Sequence, residues 1–149
     1  MKTYNHRQFV KEYAESVGLD SYATTGWNDI RNIATILRNY RLPILISDFN
    51  ETSQLLNNDT DSLLERSQYA ILCFTQAEVG NPDSVPEARK QARDILNTLI
   101  RTILSKAGSA QDGLTYLDRS SFVISPLGFT ADWAFGIMLS YEVLTPFLY

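Results

Sequence analysis

The chain has 149 residues, 44% of them hydrophobic and 20% charged, with a formal net charge of -4. That is enough sequence for one domain with a sizeable core, and the balance is too acidic for a general nucleic-acid binder. One cysteine, Cys73, excludes an internal disulfide. No apolar run reaches the ~18–20 residues of a membrane helix, and the polar start MKTYNHRQFVKEY does not read as a secretory signal, so cytoplasmic synthesis is expected.

In chain order, Asn5-x-x-Gln8 is a capping-box pattern, followed by Phe9, Val10, Tyr13, Ala14 and Val17 at helical spacing and by Gly18 as a stop. A first helix is expected there. Thr24 or Thr25 can cap a second, with Trp27, Ile30, Ile33, Ala34 and Leu37 as its apolar stripe and Pro43 as its upper limit. Ile44-Leu45-Ile46 then opens a strand that continues irregularly to about Leu56. A second strand covers Tyr69 to Thr75 and reaches towards Val79. The turn-forming cluster NNDTD at 57–61 lies between them, so a long antiparallel hairpin is expected.

The clearest helix follows. Ser84-x-x-Glu87 resembles another capping box, with Pro86 in the first turn. Ala88, Ala92, Ile95, Leu96, Leu99, Ile103 and Ala107 form its buried stripe, and Gly108 closes it. About 22 residues correspond to roughly 33 Å of helix. A second hairpin starts at 114–117, resumes at 121–124 and turns at Ser125-Pro126-Leu127-Gly128. Its return arm, DWAFGIMLSYEVLTPF, alternates strictly: Trp133, Phe135, Ile137, Leu139, Tyr141 and Val143 on one face, and Ala134, Gly136, Met138, Ser140, Glu142 and Leu144 on the other. The bulky face should lie against the long helix, leaving the lighter face open to water or to another subunit. The expected fold is one α+β domain over 1–149 in the order αα-ββ-α-ββ, with the helices packed on one face of the sheet.

Chemistry-bearing residues are sparse. His6, the sole histidine, falls in the first turn of a helix beside Arg7 and reads as an exposed helix-start residue without a partner to make it a base. Cys73, mid-strand among apolar neighbours, reads as a buried inert thiol. Asn57-x-Asp59-x-Asp61 fails as a calcium loop, because Ser62 and Gln68 stand where glycine and glutamate are needed. Asp48 and Glu51 read as solvent-facing carboxylates rather than a glycosidic pair. No metal, cofactor or catalytic set is expected, and the protein is read as a non-enzyme.

Charge placement is more informative. Residues 1–42 sum to +2, 43–83 to -6, 84–108 to +3 and 109–149 to -3. Arg89, Lys90 and Arg93 share the polar side of the long helix, either as a solvated face or as a docking edge for the acidic strands of an identical subunit. Phe147 and Tyr149 belong to an apolar terminus that either folds back or docks on a partner.

The segments LPILISDF, YAILCFTQAEV, SVPEARKQARDILNTLIRTIL and WAFGIMLSYEVLTPF, taken in this order, resemble the small connector and tail-terminator proteins of long-tailed bacteriophages over roughly residues 28–147. The resemblance implies a virion structural protein of the tail or neck, without enzymatic activity or catalytic residues. It would be made in the host cytoplasm and assembled into a ring, commonly a hexamer, that caps the tail tube or joins it to the head. Its partners would be other copies of itself, tail-tube and head-completion proteins, and DNA that passes through the hole without sequence-specific binding; no membrane is involved. In such a ring Arg89, Lys90, Arg93, Phe147 and Tyr149 are the expected subunit contacts. Asp48, Glu51, Glu78, Asp118 and Glu142 are the expected lining, whose negative charge would let DNA slide. The competing reading is a monomeric small-molecule-binding or regulatory α+β domain with a ligand near Trp27 and Tyr40; a small enzyme with a carboxylate-only site is a third.

Overall fold

The computed structural model describes residues 4–24, 33–57, 63–107, 113–114, 116–129 and 132–146. Helix α1 (His6–Val17) starts where the cap pattern predicts: the Asn5 side chain accepts a hydrogen bond from the Gln8 backbone N–H at 3.1 Å. Only half of the capping box forms, because the Gln8 amide reaches forward to Glu12 instead of back. Gly18 closes the helix.

The chain then makes a strand that periodicity does not predict, β1 (Asp20–Ala23), which pairs parallel with β2 (Ile44–Asn57) from Asp20↔Ile44 to Ala23↔Ser47. Thr24 extends this strand: its N–H donates to Ser47 O at 3.0 Å and its hydroxyl to Asp48 Oδ1 at 2.8 Å. Of the expected second helix the structure describes α2 (Ile33–Leu37); Thr25, Trp27 and Ile30 lie outside the described residues.

Strand β2 forms the expected hairpin with β3 (Leu63–Gln76), with an irregularity between Phe49 and Ser53. A short 3-10 turn, Pro82–Ser84, leads into α3 (Val85–Lys106), which has the expected 22 residues. The Ser84 capping box does not form. Asn81 caps the 3-10 turn instead, and the Ser84 hydroxyl donates to Asn81 O and accepts from the Glu78 N–H. Asp59, Asp61 and Gly108 lie outside the described residues.

The last two strands, β4 (Leu117–Phe129) and β5 (Ala134–Pro146), complete a five-stranded mixed sheet in the order β1-β2-β3-β5-β4. The Ser125–Gly128 stretch is not the turn. It continues β4, with register shifts at 118–123 and 126–128. Pro126 is tolerated because β4 is an edge strand, and Gly128 takes the positive φ of 81° that its bulge requires. The connection to β5 comes later and includes Trp133 (φ 63°), so Trp133 precedes the strand rather than belonging to it.

The sheet has two covered faces. On the inner face, Leu45, Ile71, Cys73, Phe135, Ile137, Leu139, Tyr141 and Val143 pack with Phe9, Val10 and Ala14 of α1 and with Ala88, Ala92, Leu96, Leu99 and Ile103 of α3. At ~1.5–3 kcal/mol for each large apolar side chain buried, this layer dominates stability, and β5 contributes five members to it. The bulky face of 134–143 thus lies with the long helix, as its alternation predicts.

Alternate residues form a second, smaller cluster on the outer face: Ile44, Ile46, Leu72, Phe74 and Ala134, with Leu37 of α2 and partly buried Tyr22, Leu42, Ala70 and Met138. The helices therefore do not all pack on one face, since α2 covers the side opposite α1 and α3. The lighter face of β5 is correspondingly split. Ala134 and Gly136 are sealed inside the protomer and Met138 is partly so, while Ser140, Glu142 and Leu144 lie beyond α2 and stay half-buried.

Candidate assembly surfaces

The half of the outer sheet face that no described helix covers is built by strand alternation. Counting in steps of two from the outer-face residues Leu72, Met138 and Ile46 brings Arg66, Gln68, Ser140, Glu142, Leu144 and Asp48 to this side. Asp118 joins them from β4, directly opposite Glu142. Arg66 Nε lies 3.4 Å from Glu142 Oε2, close enough for an ion pair although too poorly aligned for a hydrogen bond. The Asp118 carboxylate accepts from the Ser120 hydroxyl at 2.7 Å and the Ser120 N–H at 3.0 Å. These bonds, and then the charge of Arg66, hold its carboxyl below the usual range. Ser121 bridges the β4 irregularity, accepting from the Glu142 N–H at 2.8 Å and donating to Asp118 O at 2.6 Å.

Of the five expected lining residues, Asp118 and Glu142 thus come together, with Arg66 offsetting part of their charge. Asp48 shares their face two strands from Glu142, its carboxylate engaged by Thr24. Glu51 lies in β2, and its side chain is outside the described part of the structure. Glu78 is separated from the others. It follows the far end of β3, past Gln76, which is roughly 26 Å from Gln68 at ~3.3 Å per residue, and it accepts from the Asn81 amide at 3.1 Å. Among the four whose side chains are described, Glu78 stands apart from Asp48, Asp118 and Glu142.

The basic patch does assemble. Arg89, Lys90 and Arg93 line a shallow cavity of about 370 Å³ on α3 with Val85, Pro86 and Asp94. Lys90 pairs with Asp94 at 3.1 Å, and this hydrogen bond raises its ammonium pKa. The Arg89 guanidinium sits 5.3 Å from the Phe135 ring centroid. Arg93 is exposed. Phe147 and Tyr149 lie outside the described residues. Among the described strands β4 is an edge of the sheet, with Val123 54% and Leu127 42% exposed.

A second cavity of about 330 Å³ is lined by Leu37, Tyr40, Leu42 and Ala134, with Gln76 and the Arg38–Asp132 ion pair (2.8 Å) among its polar lining. Trp27, expected beside it, lies outside the described residues.

His6 differs most from expectation. It is 4% exposed, not a solvent-facing helix-start residue. Its Nε2 is 2.8 Å from Ala70 O, and its Nδ1 is 3.0 Å from the Tyr4 hydroxyl and 3.2 Å from the Tyr141 hydroxyl, which also bond to each other. Tyr69 stacks beside the imidazole with ring centroids 4.8 Å apart. Loss of hydration lowers the His6 pKa to about 4, partly offset by hydrogen bonds to the backbone at Ala70 and Asp48. Burial raises the Tyr69 and Tyr141 phenols. The sequence does carry a signal for this burial. Tyr4 before the cap and Phe9 four residues after it have the spacing of a hydrophobic staple, and their rings lie 5.8 Å apart. Cys73 is buried as expected, and its thiol is pushed up to about 12 by desolvation.

Among the described residues, no group of three or more His, Cys, Asp or Glu side chains could hold a metal ion, and no helix is long and apolar enough to cross a membrane. No protein-family model matches the chain, and no curated protein matches it.

Proposed function

We propose that this protein is a non-enzymatic structural subunit that assembles head to tail into a ring, of the kind that caps a phage tail tube or joins it to the head. The observation that carries the reading is the placement of opposite charge on opposite layers. The Arg89/Lys90/Arg93 patch lies on the helical side, and Asp48, Asp118 and Glu142 lie on the half of the outer sheet face that no described helix covers. Two different, complementary surfaces on one protomer make a heterologous contact, which repeats from copy to copy and closes into a ring when the rotation allows. The open β4 edge offers further contact area. In the assembled particle the partners are further copies of this chain and the tail-tube and head-completion proteins, and DNA passes through the hole without base-specific contacts.

Light scattering on the eluted full chain at low and high salt, with negative-stain microscopy, tests the reading. Salt-sensitive oligomers that the triple reversal Arg89→Glu, Lys90→Glu, Arg93→Glu abolishes, and that Asp118→Lys with Glu142→Lys restores in that background, support it. A monomer at every salt and protein concentration rejects self-assembly through these surfaces. The cavity at Leu37, Tyr40 and Leu42 supports the alternative of a monomeric ligand-binding domain, which a thermal-shift screen of small aromatic and apolar compounds addresses.

A further inference from the structure

We propose that Tyr4, His6 and Tyr141 form an acid-sensitive latch that fastens the start of α1 to the centre of the sheet. The three groups join distant parts of the chain: Tyr4 and His6 lie at the start of the first helix, whereas Ala70 lies on β3, the central strand, and Tyr141 on its neighbour β5. The hydrogen bonds have two self-consistent arrangements, which share one imidazole tautomer. Nε2 carries the ring proton and donates to Ala70 O, so Nδ1 is an acceptor. One phenol donates to Nδ1, and the second donates to the oxygen of the first. Every polar atom of the triad is then paired with the imidazole neutral.

Protonation at Nδ1 breaks either arrangement. The nitrogen becomes a donor, the phenol that served it must turn its O–H to another acceptor, and a cation is left out of water. Among the described groups facing the ring, the Ala70 and Asp48 backbone hydrogen bonds stabilise that cation, but they offset only part of the loss of hydration. Tyr4, Tyr69 and Tyr141 are phenols that stay neutral, Phe122 lies against Tyr141, and from β2 Asp48 turns its carboxylate to the Thr24 hydroxyl. On α1 the neighbouring Arg7 donates to Thr24 O, and on α3 Lys106 lies over the Phe9 ring. Solvating the charge requires opening the contact. With a ring pKa of about 4 when latched and 6.5 when released, acidification from pH 7 to pH 4 raises the opening equilibrium by about 100-fold.

Amide exchange of the full chain, corrected for the intrinsic pH dependence of exchange, reads this directly. Protection of the α1 segment should fall by about two orders of magnitude between pH 7 and pH 4 while α3 stays protected. His6→Gln, whose amide can still donate to Ala70 O and accept from a phenol, should flatten that pH dependence to within about 3-fold. Equal pH dependence in the variant, or simultaneous loss of protection in α1 and α3, overturns the latch. Should the variant fail to fold, an NMR titration of the wild-type imidazole decides independently, because the chain has one histidine. A ring titrating near 6.5 in the native state overturns the proposal, and one titrating near 4 supports it.

Discussion

Gly136 lies opposite Phe74 on the neighbouring strand, so close that a methyl group at its Cα would stand 2.5 Å from the Phe74 ring. The ring occupies the space a side chain would need, and this contact lets the central β3–β5 pair close at that end of the outer cluster. Gly136→Ala should therefore destabilise the protein by ~1–3 kcal/mol through overpacking. Chemical denaturation measures the loss, and Phe74→Leu in the same background should recover part of it. An unchanged unfolding midpoint in the single variant would show that the ring yields without cost.

Core truncation should follow burial. Leu99 is fully buried on α3 within the main cluster, whereas Leu127 on the β4 edge is 42% exposed. Leu99→Ala should cost ~2–5 kcal/mol, and Leu127→Ala should stay within ~0.5 kcal/mol if the edge is solvent-facing. Comparable losses at both positions in urea denaturation would contradict the two-layer account of the core.

The Cys73 thiol should be inert in the native state. It lies among Ile71, Leu72 and Phe74 on a central strand, fully buried, with a pKa of about 12. At neutral pH the thiolate is scarce and the path to it closed. A thiol-specific chromogenic reagent should label the folded protein only at the rate of unfolding, and at least a hundredfold faster in denaturant. Rapid labelling without denaturant would mean that the strand opens locally.

Overall stability should also fall with acid. Folding lowers the His6 pKa from 6.5 to about 4, so the folded state binds fewer protons than the unfolded chain in this range. The histidine therefore carries no penalty above about pH 6.5, and stability declines as pH falls from there towards 4, by up to about 3 kcal/mol. Urea midpoints at pH 7 and pH 4.5 should differ accordingly, and His6→Gln should reduce the difference. A pH-independent midpoint over this window would show that the ring is hydrated in the native state.

Long periodic segments were the legible part of this fold. Helix α3 has a stripe of alanine, leucine and isoleucine at helical spacing, and β5 alternates through six bulky positions, of which all but Trp133 lie in the strand. Strand β1 has four residues, DSYA, all half-buried, which is too short for alternation to register; its place comes from parallel pairing with β2. Ser125-Pro126-Leu127-Gly128 has turn composition because an edge-strand proline and a bulge glycine are the same residue types that turns use. Nothing local specifies which sheet face a short helix covers, so the position of α2 depends on the distant side chains of Ile44, Leu72 and Phe74.

The candidate surfaces were legible in the same uneven way. Arg89, Lys90 and Arg93 lie within five residues on one helix, so their grouping follows from helical geometry alone. The grouping of Asp118 and Glu142 depends on strand register and on a bulge bridged by Ser121, neither of which is a local property. His6 is further removed, because its partners Ala70 and Tyr141 are set by tertiary packing. Only the Tyr4–Phe9 staple hints at it.

The two middle strands, β3 and β5, are bonded along their whole length from Leu64↔Pro146 to Gln76↔Ala134, yet α3 and β4 separate them in the chain. On the ribosome β3 emerges well before its partner, by several seconds at roughly 5–20 residues per second. In that interval the β2–β3 hairpin has one bare edge and two apolar faces, a period of vulnerability to mispairing that ends only when residues 134–146 are released. Nascent chains stalled before that point should recruit chaperones, and stop codons between 117 and 134 should yield insoluble product rather than a smaller folded domain.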